Sequence, residues 1–266
     1  MPKAKINNIE LFWVEAGSGD NVLLLLHGFP LDHTMWLNQV EYFAGRGWRV
    51  IAPDHRGYGQ STHNPQEVTT VDLMAQDAAG LLDHLGIARA VIVGLSMGGY
   101  VTFAFNRQFP EKVRALVLAD TKAEPDPPQA RENRYKLRET IRQQGSTAAR
   151  DGMLPVMFSP ELHKQGSPMI DDLGAIMLRT KPEAIMATLP GLAERPDVVP
   201  ELPGIKAPYL VIHGEKDQLM PVANARLMAE ANARAKFVEV PGAGHMANIE
   251  DAEFFNRAVE DFLKGV

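Results

Sequence analysis

Ala90-Val91-Ile92-Val93-Gly94-Leu95-Ser96-Met97-Gly98-Gly99-Tyr100 reads as a short β-branched strand, a tight turn with a serine at its tip, and the opening of an apolar helix. The spacing Gly94-x-Ser96-x-Gly98 is that of a nucleophile elbow, a strained strand-to-helix turn that lifts a hydroxyl out of a sheet. So sharp a turn leaves no room for side chains two residues before or after the serine, which accounts for both glycines. Ordinary Gly/Ser loops share the five-residue pattern. The strand before it, the helix after it and the further glycine at Gly99 set this stretch apart. The start of that helix turns backbone N–H groups toward any negative charge formed at the serine.

Working outward, Val22-Leu23-Leu24-Leu25-Leu26 is an unbroken apolar run, as expected of a strand covered on both faces, and it ends in His27-Gly28-Phe29-Pro30. Before it, Lys5 to Glu15 alternates weakly and meets the turn residues Gly17-Ser18-Gly19-Asp20, the pattern of an antiparallel hairpin. A helix is expected around Thr34 to Ala44 and a buried strand at Arg49-Val50-Ile51-Ala52, followed by the polar loop Asp54-His55-Arg56-Gly57-Tyr58-Gly59-Gln60-Ser61. Met74, Ala78, Leu81, Leu82 and Leu85 make one helical stripe, stopped by Gly86. Val113 to Ala119 is the strand after the elbow helix.

The strand–helix alternation then breaks. Glu124-Pro125-Asp126-Pro127-Pro128 opens a segment with helical patterns near 129–144, 147–157, 169–179 and 182–194, closed by Pro196, Pro200 and Pro203. Strands resume at Tyr209-Leu210-Val211-Ile212 and Phe237-Val238-Glu239-Val240, and Phe255, Ala258, Val259, Phe262 and Leu263 stripe a last helix. These alternations predict an α/β fold, a mostly parallel central sheet flanked by helices. Residues 1–120 and 204–266 form the core, and 121–203 form a helical cap inserted after the strand that follows the elbow.

Composition bounds the function. A 45% hydrophobic chain of 266 residues has ample core, and a net charge of −6 argues against a nucleic-acid surface. With no cysteine, disulfides, thiol catalysis and cysteine-ligated metals are excluded. No signal-peptide h-region is visible, and the longest apolar run, Val22 to Leu26, is far too short for a membrane span, so a cytoplasmic location is expected. No ligand cluster for a metal and no phosphate or dinucleotide loop appears, since Gly57-x-Gly59 lacks a third glycine at the needed spacing. No cofactor is expected.

A serine hydroxyl needs a base, and the base needs an orienting carboxylate. Of eight histidines, His245 lies in a loop just past the final strand, where sites in parallel sheets converge. Asp217, in the loop after the penultimate strand, is the first candidate for the acid. Asp120, which ends the strand after the elbow, and Glu215 are the alternatives. Donors for the oxyanion are the backbone N–H groups of Met97 and Phe29; Pro30 has none.

His27-Gly28-Phe29-Pro30, Asp54-x-Arg56-Gly57-x-Gly59-x-Ser61, the elbow, Gly214-Glu215-Lys216-Asp217 and Gly244-His245 together resemble the α/β-hydrolase family, specifically its capped esterase, enol-lactonase and cofactor-free haloperoxidase group. The resemblance spans essentially the whole chain. It implies a Ser96-His245-Asp217 triad, a cap near 121–200 and a mainly structural role for Asp54 to Ser61. Haloalkane dehalogenases and epoxide hydrolases of this fold carry an aspartate where this chain has Ser96.

The expected activity is hydrolysis of a small-molecule ester or lactone through an acyl-enzyme. Perhydrolysis and a non-catalytic ligand receptor are the alternatives, since fold does not settle function. Gly28, Phe29, Leu219 and Met246 are expected to touch substrate. Met153, Met157, Met169, Met177 and Met186 in the cap suggest an apolar roof over a small to medium uncharged acyl group. The charges of Arg131 to Arg142 read as a solvated face.

Overall fold

The run Val22–Leu26 is buried throughout, and its side chains alternate between two apolar cores. Val22, Leu24 and Leu26 enter one; Leu23 and Leu25 enter the other. This follows from the two-residue period of a strand and makes the segment central to a sheet covered on both sides. The computed structural model describes residues 2–64 and 68–266. Among them β1 (Lys3–Ile6), β2 (Ile9–Ala16), β3 (Val22–Leu26), β4 (Arg49–Pro53), β5 (Ala90–Leu95), β6 (Val113–Ala119), β7 (Tyr209–Gly214) and β8 (Ala235–Val240) form one sheet. Its spatial order is β1-β2-β4-β3-β5-β6-β7-β8. β1–β2 and β2–β4 are antiparallel and every other pair is parallel, with Leu24 opposite Ile51 on one side and Ile92 on the other.

The helices are α1 (Leu37–Ala44), α2 (Val71–His84), α3 (Met97–Gln108), α4 (Pro128–Gln144), α5 (Ser146–Met153), α6 (Pro160–Gln165), α7 (Pro168–Arg179), α8 (Pro182–Ala193), α9 (Val222–Glu230), α10 (Ala247–Glu250) and α11 (Ala252–Leu263). α2, α3 and α9 pack one face of the sheet through residues such as Met74, Phe103 and Met228; α1 and α11 pack the other through Phe43, Phe255 and Phe262. Every parallel strand therefore directs its carboxyl end to the same rim.

The hairpin differs in detail from the sequence reading. It turns at Asn7-Asn8, with φ of 45° and 67°, and the Gly17–Asp20 turn leads instead from β2 to β3, which are separated by β4. Asparagine tolerates the left-handed region, so this pair makes the turn without glycine. α6 and α9 had no clear sequence signal. α4 to α8 fill the interval between β6 and β7, where the described residues contain no strand. This segment is fastened to loops of the sheet region: Thr69 N–H bonds Ala187 O at 3.0 Å, and Arg179 grips Asp32 at 2.8 and 2.9 Å.

Candidate active site

Ser96 sits between β5 and α3 with φ 55° and ψ −114°, a conformation few side-chain-bearing residues adopt. Its surroundings hold it there. Ser96 N–H bonds Ala119 O at 2.9 Å, and Ser96 O accepts from Gly99 N at 2.9 Å and Thr121 Oγ1 at 2.8 Å. The elbow glycines are steric necessities: a Cβ on Gly94 would strike Gly98 O, and one on Gly98 would strike Leu26 O. The elbow is wedged between β3 and β6, with its serine at the carboxyl rim.

His245 arrives from the loop after β8. Its Nδ1 lies 2.8 Å from Asp217 Oδ2, and both side chains are shielded, 1% and 0% exposed. Asp217 Oδ1 accepts the N–H groups of Leu219 and Met220 at 2.8 and 2.9 Å, so neither oxygen is idle. Burial alone would raise this carboxyl. The facing His245, its hydrogen bond and the Met220 N–H outweigh that and hold it below its ordinary value. The Nδ1 bond leaves Nε2 as the imidazole nitrogen free to take a proton.

The other carboxylates are placed differently. Asp120 is fully buried, bonds Gly214 N–H at 2.8 Å through Oδ1, and lies 4.0 Å from Nδ1 of His213. Burial and the neighbouring Asp217 charge push its carboxyl well above the ordinary range. Glu215 is exposed and bonds Gly242 N–H and Lys216. Of the three, Asp217 is the one bonded to His245.

The backbone N–H groups of Phe29 and Met97 have no protein acceptor among the described residues, and both residues line the same cavity as Ser96 and His245. The loop that carries Phe29 is fastened from below. His27 Nδ1–H donates to Gly28 O at 2.9 Å while its Nε2 accepts from His55 N–H at 2.9 Å. His55 belongs to the Asp54–Ser61 loop, which is itself pinned by the buried Arg56–Asp77 pair at 2.7 Å and by Ser61 Oγ–H to Asp54 O at 2.7 Å. That motif thus stiffens the floor of the site from outside it.

The cavity, about 280 Å³, is bounded by Phe29, Ser96, Met97, Tyr100, Leu219, Met220 and His245 from the sheet side and by Ala130, Asn133, Arg134, Leu137, Met153 and Leu192 from the insertion, with Lys122 and Asp126 at the junction. Several expectations need correction here. Leu219 and Phe29 reach the wall, but Gly28 and Met246 do not. Gly28 packs behind the serine, where a Cβ would come within 3.4 Å of Leu95. Met246 is wholly buried in the core cluster that also holds Phe255, Val259 and Phe262 of α11. Of the five insertion methionines only Met153 lines the cavity; Met157 and Met177 are core, and Met169 is on the surface. Arg131 to Arg142 is not uniformly solvated, because Asn133, Arg134 and Leu137 turn one helical stripe inward. Lys122, Asp126 and Arg134 were missed, since their meeting depends on how α4 docks.

Comparison with known proteins identifies the family and the fold. The family model described as alpha/beta hydrolase family matches residues 23–258. The chain is 30% identical to 3-oxoadipate enol-lactonase 2 of Acinetobacter baylyi, over 97% of this chain and 94% of that one. It is similar to the structure of a thermophilic esterase from Thermogutta terrifontis with malate bound, at 38% identity and TM-score 0.94, covering 99% and 98% of the two chains. It is also similar to the enol-lactonase of Burkholderia xenovorans LB400, at 31% identity and TM-score 0.91, covering 99% and 100%.

Proposed function

The chain belongs to the alpha/beta hydrolase family, and on that premise we propose that it cleaves carboxylic esters or lactones of small molecules through Ser96, His245 and Asp217. The observation that carries this reading is the shielded 2.8 Å His245–Asp217 bond opening onto the cavity that also holds Ser96. Asp217 fixes the imidazole with its proton on Nδ1, so Nε2 takes the Ser96 proton as Oγ bonds the acyl carbon. The oxyanion forms where the N–H groups of Phe29 and Met97 are free to donate. The C–O bond then breaks, and His245 returns the proton to the leaving oxygen, which departs in an ester and stays tethered in a lactone. Water, deprotonated by the same imidazole, releases the acid.

We further propose that residues 121–203 act as a cap. Support comes from their supplying Ala130, Asn133, Arg134, Leu137, Met153 and Leu192 to the cavity. A volume near 280 Å³ stands at the lower edge of small-molecule pockets, roughly 300–1,000 Å³, and favours a small substrate. The test is labelling by a fluorophosphonate followed by peptide mass spectrometry. Stoichiometric modification of Ser96 is expected. An unmodified Ser96 in folded protein favours the receptor reading instead.

A further inference from the structure

Lys122, Asp126 and Arg134 meet on one wall of the cavity. The Asp126 side chain is 2% exposed and engaged at both oxygens. Arg195, itself buried, approaches its Oδ1 at 2.8 Å, and Arg134 Nε bonds its Oδ2. Lys122 is left over. Its side chain is 18% exposed, and its ammonium lies 3.6 Å from Asp126 and makes no hydrogen bond to any described residue. Arg134 spends only Nε on Asp126, so its two terminal nitrogens are likewise unused by the described residues. The amide nitrogen of Asn133, whose Oδ1 is taken by Gln129, is a further free donor on the same wall.

Charge accounting points the same way. On the wall itself two cations face one carboxylate, and Arg195 behind it adds a third positive charge. Glu124 accepts from the neutral Asn224 amide at 2.7 Å and keeps its charge, so Lys122, Arg134 and Arg195 face two carboxylates, an excess of one. A cation held in such a place is short of counter-charge: burial, then the field of Arg195, lowers the Lys122 pKa despite Asp126. Asp126 takes its hydrogen bonds from Arg134 and Arg195, and Lys122 adds only a longer ion pair to it, which leaves the ammonium's donors uncommitted.

We infer that this wall is a carboxylate subsite, so that the ester or lactone turned over carries one free carboxylate group. The inference rests on the proposed hydrolase reading and names its substrate class. One negative charge matches the wall's excess of one; a dianionic phosphate would over-neutralise it. The carboxylate would take donors from Lys122 Nζ and the free nitrogens of Arg134, charge-assisted bonds that are stronger than neutral ones. The reacting carbonyl would lie toward Ser96 in the same cavity.

The experiment compares kcat/KM for the p-nitrophenyl half-ester of glutaric acid with that for p-nitrophenyl butanoate. The wild type is expected to prefer the half-ester at least ten-fold. In Lys122→Met that ratio falls ten-fold or more, and Lys122→Arg restores most of it. A wild-type ratio near one, or a ratio unchanged in Lys122→Met, overturns the inference. Binding of the unreactive glutaric acid monoanilide, followed by calorimetry, reads the subsite without turnover. If the protein hydrolyses neither ester yet binds the monoanilide, and Lys122→Met weakens that binding ten-fold, the hydrolase reading fails and the subsite stands. Absent or unaltered binding removes the subsite.

Discussion

Oδ2 of Asp217 stands 2.8 Å from Nδ1 of His245, while the same oxygen lies 3.5 Å from Nε2 of His213. His213 is committed elsewhere, since its Nε2 donates to Met220 O at 2.7 Å. One carboxylate therefore serves one imidazole, although a second histidine is within reach. The loop between β7 and α9 makes this possible by bringing the Leu219 and Met220 N–H groups back onto Asp217 Oδ1.

Ser96→Ala should abolish turnover of aryl esters, leaving only what the oxyanion donors and binding supply, roughly a thousand-fold over water. Steady-state rates on a butanoate ester check this. Retention of more than a few per cent of the wild-type rate would remove Ser96 as nucleophile.

Asp217→Asn should lower kcat by about four orders of magnitude, because an amide can favour the wrong imidazole tautomer and does not stabilise the imidazolium. Asp120→Asn should keep most activity, since the amide oxygen still accepts from Gly214 N–H and Asp120 makes no bond to His245. The two variants are to be compared in one assay at one pH, and the reverse ranking would transfer the acid's role.

Gly98→Ala should destabilise the fold by about 1–3 kcal/mol or more, because the new methyl meets the Leu26 carbonyl rather than a flexible side chain. Gly152→Ala, inside α5 with open space around it, should stabilise by roughly 0.5–1 kcal/mol. Urea midpoints of the two variants should move in opposite directions.

Stability should fall as pH drops from 7 to 5. Burial lowers the pKa values of His27, His55 and His213, so below their ordinary value of 6.5 the unfolded chain binds protons that the folded chain does not. Asp120, raised by burial and by Asp217, opposes this by holding a proton that the unfolded chain releases above 3.8. His63, lowered by burial and then by Lys181, adds to the histidine side, so the histidine protons outnumber the one on Asp120 and the net effect is a loss of stability on acidification. Asp217, lowered from 3.8, contributes only below this window. Urea unfolding at pH 7, 6 and 5 checks the sign, and a midpoint that rises on acidification would contradict it.

How much of this was legible beforehand follows from the range over which each feature is encoded. The strands Val22–Leu26, Ala90–Leu95 and Val113–Ala119 could be read because burial on both faces demands a continuous apolar run. The elbow could be read because its strain admits only glycine at Gly94 and Gly98. Asp217 and His245 could be singled out as candidates because each lies in the loop that follows a strand, and parallel strands bring those loops to one rim. The Asn7-Asn8 turn was missed because asparagine's tolerance of positive φ is a weaker signal than glycine's.

The cavity wall was another matter. Lys122, Asp126 and Arg134 span two elements, and α4 places one helical stripe inward and the rest in solvent. Its mixed charges look alike on every stripe until α8 and the core fix its rotation. Methionine counting failed for the same reason: Met153 reaches the cavity while Met157, four residues on, enters the core. The sequence by itself determined the sheet, the elbow and the residues at the strand ends, because local backbone chemistry dictates them. Only tertiary structure decided which charges face the serine, because that depends on the docking of the insertion, which no local pattern encodes.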